Sequence, residues 1–154
     1  MKALTLDEGA ERLHRLTKEL IRRYQFRDWN QICCYGISIS QSHILDILAE
    51  EGDLTMQELA GRMFKSVSTM TRVVAQLVRR GYVKRLQDAE DRRIVHVTVT
   101  PQGKAIVAAV TRDLIETQKT ILRALPAKER AGAFSVLEAL ARGARRWQET
   151  CCKP

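Results

Sequence analysis

The chain has 154 residues and a formal net charge of +8, from 26 Lys and Arg against 18 Asp and Glu. This length suits a single domain with a buried core, which we predict over residues 1–154. The positive charge favours a polyanionic partner. Because there is no run of about 18 apolar residues and no apolar signal-peptide core near the start, we expect a cytoplasmic protein without a membrane partner. The low aromatic content, 5%, disfavours a platform for stacking single-stranded bases.

The first two predicted elements are helices. Thr5 and Glu8 form a capping box that opens a helix of about twenty residues. A polar exit at Arg27–Asn30 follows, and Ser40 is predicted to cap the second helix, which ends near Gly52. The apolar stripe of the first helix comprises Leu13, Leu16, Leu20 and Tyr24, and the inward positions of the second are Ile44, Leu45 and Leu48.

Two shorter helices are predicted next, between Thr55 and Gly81. Thr55 and Glu58 form a second capping box, and Phe64-Lys65 makes a corner before Ser66, which caps the following helix. Leu59, Ala60 and Met63 form the apolar face of the first of these helices, and Val67, Met70, Val74 and Leu77 the buried stripe of the second. The opposite face of the second helix carries Ser68, Thr69, Arg72, Gln76 and Arg79. A helix with such a face fits a DNA major groove, with Lys65 and Ser66 placed for backbone contacts.

A hairpin is predicted after the glycine stop at Gly81. Strands at Tyr82–Leu86 and Val95–Thr100 flank a charged tip, Gln87–Arg93. Together with the preceding helices, the hairpin indicates a winged helix-turn-helix, in which the wing places an arginine in the minor groove and Arg85 lies near the phosphates. The alternative is an ordinary α+β fragment with a charged turn.

The C-terminal third is predicted to form two long helices, separated by Pro126. The first starts at Thr100-Pro101 and the second spans residues 127–150. Their apolar stripes are Val107, Val110, Leu114, Ile121 and Leu125, and Phe134, Leu137, Leu140, Ala141 and Ala144. These faces exceed what a small winged core can cover, so we expect a two-fold homodimer. The alternative is a monomer whose terminal helices fold back on each other.

The segment LVRRGYVKRLQDAEDRRIVHVTVTPQGK resembles the signature of the MarR family of bacterial transcriptional regulators. The matching positions are Leu77, Gly81, Val83, Arg85, Asp91, Arg93, Val99, Thr100 and Gly103. The resemblance implies a mainly α fold with a small β wing: a winged helix-turn-helix region at 40–100, flanked by dimerisation helices at 5–30 and 101–150. It also implies that Asp91 helps to hold the wing and that Arg93 or Arg92 enters the minor groove of a pseudo-palindromic operator.

Two vicinal cysteine pairs, Cys33-Cys34 and Cys151-Cys152, are candidates for an effector site. Thiolates bind soft metals and metalloids and react with oxidants, and His43 offers a nitrogen ligand near the first pair. Because terminal helices pack together in the resembled family, the two pairs are placed to approach each other. A thiolate-bound metal or metalloid is therefore a candidate cofactor, none being certain. The alternative is that Cys33 and Cys34 only pack as small apolar residues and that Cys151 and Cys152 lie in a frayed tail.

The function predicted from these features is a homodimeric, sequence-specific DNA-binding repressor that a thiol-reactive metal, metalloid or oxidant releases. One alternative effector is a small aromatic compound, bound near Trp29, Tyr35, Ile37, His43 and Ile47. Another alternative is a winged protein-interaction module that does not bind DNA. Motifs of catalysis are missing from the sequence, so we do not expect an enzyme.

Overall fold

A computed structural model of the chain describes residues 4–88, 91 and 94–151. These residues form six helices and a small antiparallel sheet, which confirms the predicted fold class. None of the helices found there is both long and apolar enough to cross a bilayer. The elements are α1 (Leu6–Cys33), α2 (Ile39–Glu51), β1 (Leu54–Thr55), α3 (Met56–Arg62), α4 (Val67–Arg79), β2 (Val83–Gln87), β3 (Val95–Val99), α5 (Pro101–Arg123) and α6 (Ala127–Cys151).

The chain divides into two compact units. The first ends at Leu114, within α5, and the second begins at Ile115 and contains α6. The core of the first unit is made by one buried stripe from each of its central elements. Its fully buried side chains include Ile44, Leu45 and Leu48 of α2, Leu59 of α3, Met70, Val74 and Leu77 of α4, and Val83 and Val97 of the sheet. The predicted inward residues of α2 are thus confirmed.

The sheet has three strands in the order β1-β3-β2, all antiparallel. Val83 pairs with Val99 and Arg85 with Val97, so the buried valines of β3 share the core-facing side of the hairpin. The third strand was not predicted. Leu54 and Thr55 pair with Val97 and His96, and this two-residue strand depends on a partner more than 40 residues away.

The helix ends follow local sequence signals. The predicted capping boxes at Thr5–Glu8 and Thr55–Glu58 are both formed, and Ser66 accepts a hydrogen bond from the amide of Thr69 at 3.3 Å. At the end of α4, Gly81 adopts a φ of +74°. Its amide bonds the carbonyl of Val78, and the Tyr82 amide bonds that of Leu77, which completes a Schellman motif.

Two predicted boundaries were wrong. The first helix does not end at the polar segment Arg27–Asn30 but continues to Cys33, because no glycine or proline lies between Arg27 and Cys33 and Ile32, 2% exposed, anchors the last turn in the core. The second helix is capped by Ser38 and not by Ser40. Ser38 and Gln41 form a capping box, with the Gln41 side chain accepting from the Ser38 amide at 2.9 Å.

Several apolar positions of the predicted stripes are exposed in the single chain. Val67 was expected in the buried stripe of α4 but is 46% exposed, because it is the first residue of the helix and lies beside Ile94 at the rim of the core. Leu125 was predicted in the apolar stripe of α5 but lies two residues after that helix ends at Arg123. The stripe of α6 was expected to face inward, yet Phe134, Leu137 and Leu140 are all exposed in the single chain. Leu13, Leu16 and Leu20 of α1 are exposed as well.

The junction between the sheet and α5 is tightly packed. The Thr100 hydroxyl donates to the Gly81 carbonyl at 2.6 Å and accepts from the Gly103 amide at 3.1 Å. A Cβ on Gly103 would lie 2.1 Å from the Tyr82 carbonyl oxygen and 2.7 Å from Cγ2 of Val99. Only a glycine lets the first turn of α5 approach the start of β2 this closely.

Candidate nucleic-acid interface and effector region

One face of α4 is buried and the opposite face is polar. Met70, Val74 and Leu77 fix the helix in the core, since each is at most 1% exposed. On the other side Ser68 and Arg72 are exposed, followed by Arg79 at the helix end. This places a short hydroxyl and two guanidinium groups along about three turns of one helix face, a pattern suited to base edges and phosphates.

The flanks of that face are partly engaged within the chain. The Thr69 hydroxyl is 2.9 Å from the Ser66 hydroxyl, and Gln76 Oε1 accepts from Gln41 Nε2 at 2.8 Å. Thr71 was not among the residues predicted for this face. It is exposed, and its hydroxyl donates to the Val67 carbonyl at 2.8 Å. Its position three residues after Ser68, on the same side of the helix, could have indicated it.

The cationic side chains around α4 are available to a partner. Lys65, Arg72, Arg79 and Arg85 are all exposed, and none of them forms an ion pair with a carboxylate within the described ranges. The carboxylates of this region instead contact other residues: Glu51 forms an ion pair with Arg62 at 2.9 Å, and Asp88 lies 3.1 Å from Nε2 of His96. Cationic side chains without an ion pair are therefore present on α4, on the corner before it and on the second strand.

The base of the wing is held by Asp88. Its amide donates to the Ile94 carbonyl at 3.0 Å, and its side chain accepts from the Asp91 amide at 3.0 Å. Its other carboxylate oxygen lies 3.1 Å from Nε2 of His96, so the imidazole also contacts the base of the wing. The predicted minor-groove residues Arg92 and Arg93 lie outside the described residues.

The first cysteine pair lies at the end of α1. Cys33 and Cys34 are free and exposed, and each thiol is 3.2 Å from the carbonyl oxygen of Asn30. His43 is exposed on α2, Cys151 is the last residue of α6, and Cys152 lies outside the described residues. Groups of three or more His, Cys, Asp or Glu side chains able to hold a metal are not found in the described part of the chain.

An apolar cavity of about 300 Å³ adjoins Cys33. Trp29 and Ile37 line it as expected for an aromatic-ligand site, whereas Tyr35, His43 and Ile47 do not. Its lining consists of Trp29, Ile32, Cys33, Ile37, Ser38, Ile39 and Ser40. Tyr35 instead donates its hydroxyl proton to Asp113 of α5, and this hydrogen bond raises the pKa of Tyr35.

The winged helix-turn-helix region is similar in sequence to known transcriptional regulators. Residues 37–95 match the model of the MarR family. The HTH-type transcriptional regulator YsmB of Bacillus subtilis, itself uncharacterized, is 36% identical over 76 residues, covering 49% of this chain and 52% of YsmB. The HTH-type transcriptional regulator Hpr of Bacillus licheniformis is 27% identical over 127 residues, covering 81% of this chain and 61% of Hpr. The alignments therefore span between half and two thirds of these relatives.

Solved structures resemble the whole fold. A MarR family protein from Bacillus stearothermophilus has a TM-score of 0.85 at 24% identity, covering 92% of this chain and 99% of its own. The transcriptional regulator BldR from Sulfolobus solfataricus has a TM-score of 0.75 at 26% identity, with coverage of 93% and 99%. FabT of Streptococcus pneumoniae, solved in complex with DNA, has a TM-score of 0.78 at 20% identity, with coverage of 90% and 99%. Residues 37–95 of the chain therefore match a MarR-family winged helix-turn-helix region, and the chain has the fold of a solved MarR-family structure.

Proposed function

We propose that the chain is a sequence-specific DNA-binding transcriptional regulator that acts as a homodimer. The observation that carries the proposal is the exposed face of α4, where Ser68, Arg72 and Arg79 lie opposite a fully buried stripe. The structure of FabT with DNA supports the same use of this fold. MarR family regulators are not enzymes, in agreement with the lack of catalytic motifs in the sequence.

In the proposed complex, α4 lies in the major groove. Ser68 and Arg72 reach base edges, while Lys65, Arg79 and Arg85 neutralise phosphates. Thr69 and Gln76 either keep their bonds to Ser66 and Gln41 or exchange them for base contacts. That Arg93, or Arg92, enters the minor groove remains a prediction, for which we expect Arg93→Ala to weaken binding by about 1–3 kcal/mol.

The homodimer is proposed from the terminal helices. Leucines spaced along α1 and the Phe134, Leu137 and Leu140 stripe of α6 are exposed in the single chain. Contiguous apolar faces of this kind mark interaction surfaces, and a second copy is the partner that a two-fold interface requires. Two recognition helices then read half-sites about one helical turn apart in a pseudo-palindromic operator.

For the regulation we propose a repressor that is released by thiol-reactive agents. Cys33 and Cys34 are both exposed, so metals, metalloids and oxidants can reach them, and their position at the end of α1 couples them to a proposed dimerisation helix. Reaction there would favour a dimer geometry with a different half-site spacing, by about 1–3 kcal/mol of coupling free energy. Participation of His43, Cys151 and Cys152 is part of the same proposal.

A small aromatic ligand is the second candidate effector. The 300 Å³ cavity beside Cys33 favours it, because Trp29, Ile32 and Ile37 give it an apolar lining with an indole ring for stacking. In this case Cys33 contributes only to the wall of the cavity, and no covalent step is needed.

The two effectors are separated by one titration. Fluorescence anisotropy follows the reduced protein on DNA from upstream of its gene, with arsenite, zinc, a peroxide or salicylate added in turn. The thiol proposal predicts release by a thiol-reactive agent that is lost in Cys33→Ser/Cys34→Ser, and a Cys151→Ser/Cys152→Ser variant tests whether the second pair takes part in that release. Release by salicylate alone, unchanged in both double variants, contradicts the thiol proposal and supports the cavity.

A further inference from the structure

The corner between α3 and α4 contains Phe64 in a backbone conformation that is unfavourable for a bulky residue. After α3, the Phe64 amide bonds the Gly61 carbonyl at 3.2 Å and the Lys65 amide bonds that of Ala60 at 3.0 Å. This is a complete Schellman motif, and Phe64 occupies its left-handed position with a φ of +51°. Among the described residues, Phe64 is the one non-glycine with a positive φ.

The same motif at the end of α4 provides an internal comparison. There the left-handed position is held by Gly81, with a φ of +74° and the equivalent pair of hydrogen bonds. Glycine adopts this conformation without the clash between Cβ and the backbone that every other L-residue meets, and the clash is worst for bulky side chains. Phe64 thus destabilises a turn that a glycine would form without strain.

Packing within the chain does little to offset this strain. The Phe64 side chain is 73% exposed, so its ring gains little from burial. It directly precedes Lys65, which is exposed and carries no ion pair within the described ranges, and Ser66, which caps α4. Strained residues that the fold does not require are concentrated at functional sites.

We propose that Phe64 contacts DNA, packing its ring against a deoxyribose of the backbone whose phosphate Lys65 neutralises. This inference rests on the proposed function and extends it by one residue. The corner directly precedes α4, so in the proposed complex it lies at the edge of the major groove, beside the DNA backbone. At that position an exposed apolar ring contacts a deoxyribose and does not reach a base. The positive charges of Lys65 and of the α4 arginines are complementary to the negative charge of the phosphates, and this favours DNA over a protein as the partner of this surface.

The test compares Phe64→Gly with Phe64→Ala, because the two variants separate the strain from the ring. Phe64→Gly removes both, so we expect its Tm to rise by about 2–4 °C. Phe64→Ala removes the ring but keeps a Cβ in the left-handed conformation, so its Tm stays near that of the unsubstituted protein. Both variants lose the sugar contact, so we expect about tenfold weaker binding to operator and non-cognate DNA alike.

Gly61→Ala is the matched control, since it alters the same helix end at a position where an added Cβ meets no atom within 4 Å. It should leave DNA affinity unchanged. Unchanged affinity in both Phe64 variants, with Tm altered, overturns the inference and leaves a purely structural corner or a protein partner. A loss confined to the operator overturns the sugar contact in favour of a base. If the unsubstituted protein fails to bind any DNA, the proposed function itself fails.

Discussion

Of the glycines in the chain, Gly103 is the one at which an added Cβ would meet the nearest atoms. Its missing side chain brings α5 against the Tyr82 carbonyl and the Val99 methyl, so Gly103→Ala introduces contacts at 2.1 and 2.7 Å. Because the 2.1 Å contact is to backbone, relief requires moving α5 or β2. We expect the free energy of unfolding, measured by urea denaturation, to fall by about 1–3 kcal/mol or more.

Gly61→Ala provides the comparison for this experiment as well. Gly61 lies in α3 with open space around it, so an added Cβ causes no clash. Because alanine has less conformational freedom than glycine in the unfolded chain, Gly61→Ala should raise the free energy of unfolding by about 0.5–1 kcal/mol. Equal stability of the two alanine variants would show that the packing at Gly103 is not as tight as described.

Glu58 gives a stability difference that depends on pH. The Thr55 amide and hydroxyl both donate to its carboxylate, at 2.8 Å each, and these bonds lower the pKa of Glu58 below its ordinary value of 4.5. A lowered pKa in the folded state stabilises the fold above about pH 4.5, and this stabilisation is lost as the pH falls through the folded value. Glu58→Gln should therefore destabilise the protein more at pH 7 than at pH 3, in urea titrations at both values. A difference that does not change between them contradicts this role.

Among the helices and strands, α4 is the element that we expect to determine DNA affinity and sequence preference. Arg72 is exposed in the middle of its polar face, so Arg72→Ala should weaken operator binding by about 1–3 kcal/mol and reduce the preference over other sequences. Arg79→Ala should weaken binding to all sequences and reduce the slope of log affinity against log salt by about one. Arg145→Ala, on α6, is the control in the same anisotropy titrations. Unchanged affinity in Arg72→Ala would remove α4 from the groove.

The elements that could be predicted from the sequence are those with local signals. Capping boxes at Thr5 and Thr55, the stop at Gly81 and the proline start of α5 each involve residues within four positions, and all of them are formed. The cap of α2 was missed, although Ser38 and Gln41 carry the same signal, because Ser40 lies nearer to the apolar run. Strand β1 could not be predicted, since two residues acquire strand geometry only by pairing with β3.

The candidate site was predictable at the level of faces and not of individual bonds. Helical periodicity was sufficient to place Ser68 and Arg72 opposite the core. It could not show that Gln76 is bonded to Gln41, because that contact joins α4 to α2 across 35 positions in the sequence. Nor could it show that Cys33 borders a cavity, since the cavity forms only when α1 continues past the expected end.

At the scale of the whole molecule, the proposed homodimer depends on apolar faces that are exposed in one copy. Phe134 and Leu137 are 50% and 54% exposed on α6, so burying a carboxylate there should disrupt association. We expect sedimentation equilibrium to give twice the 17.6 kDa mass of the chain and Leu137→Glu to shift it toward one copy. A single-copy mass for the unsubstituted protein at micromolar concentration contradicts the dimer.

Sequence-specific DNA binding is tested by comparing the affinity of the reduced protein for its upstream DNA with its affinity for a shuffled sequence of equal length. Fluorescence anisotropy at about 150 mM salt should give an affinity for the upstream DNA at least about a thousandfold higher, with both affinities falling as salt increases. Equal affinity for the two sequences would mean that the exposed face of α4 does not read bases. Failure to bind either would contradict the proposed regulator.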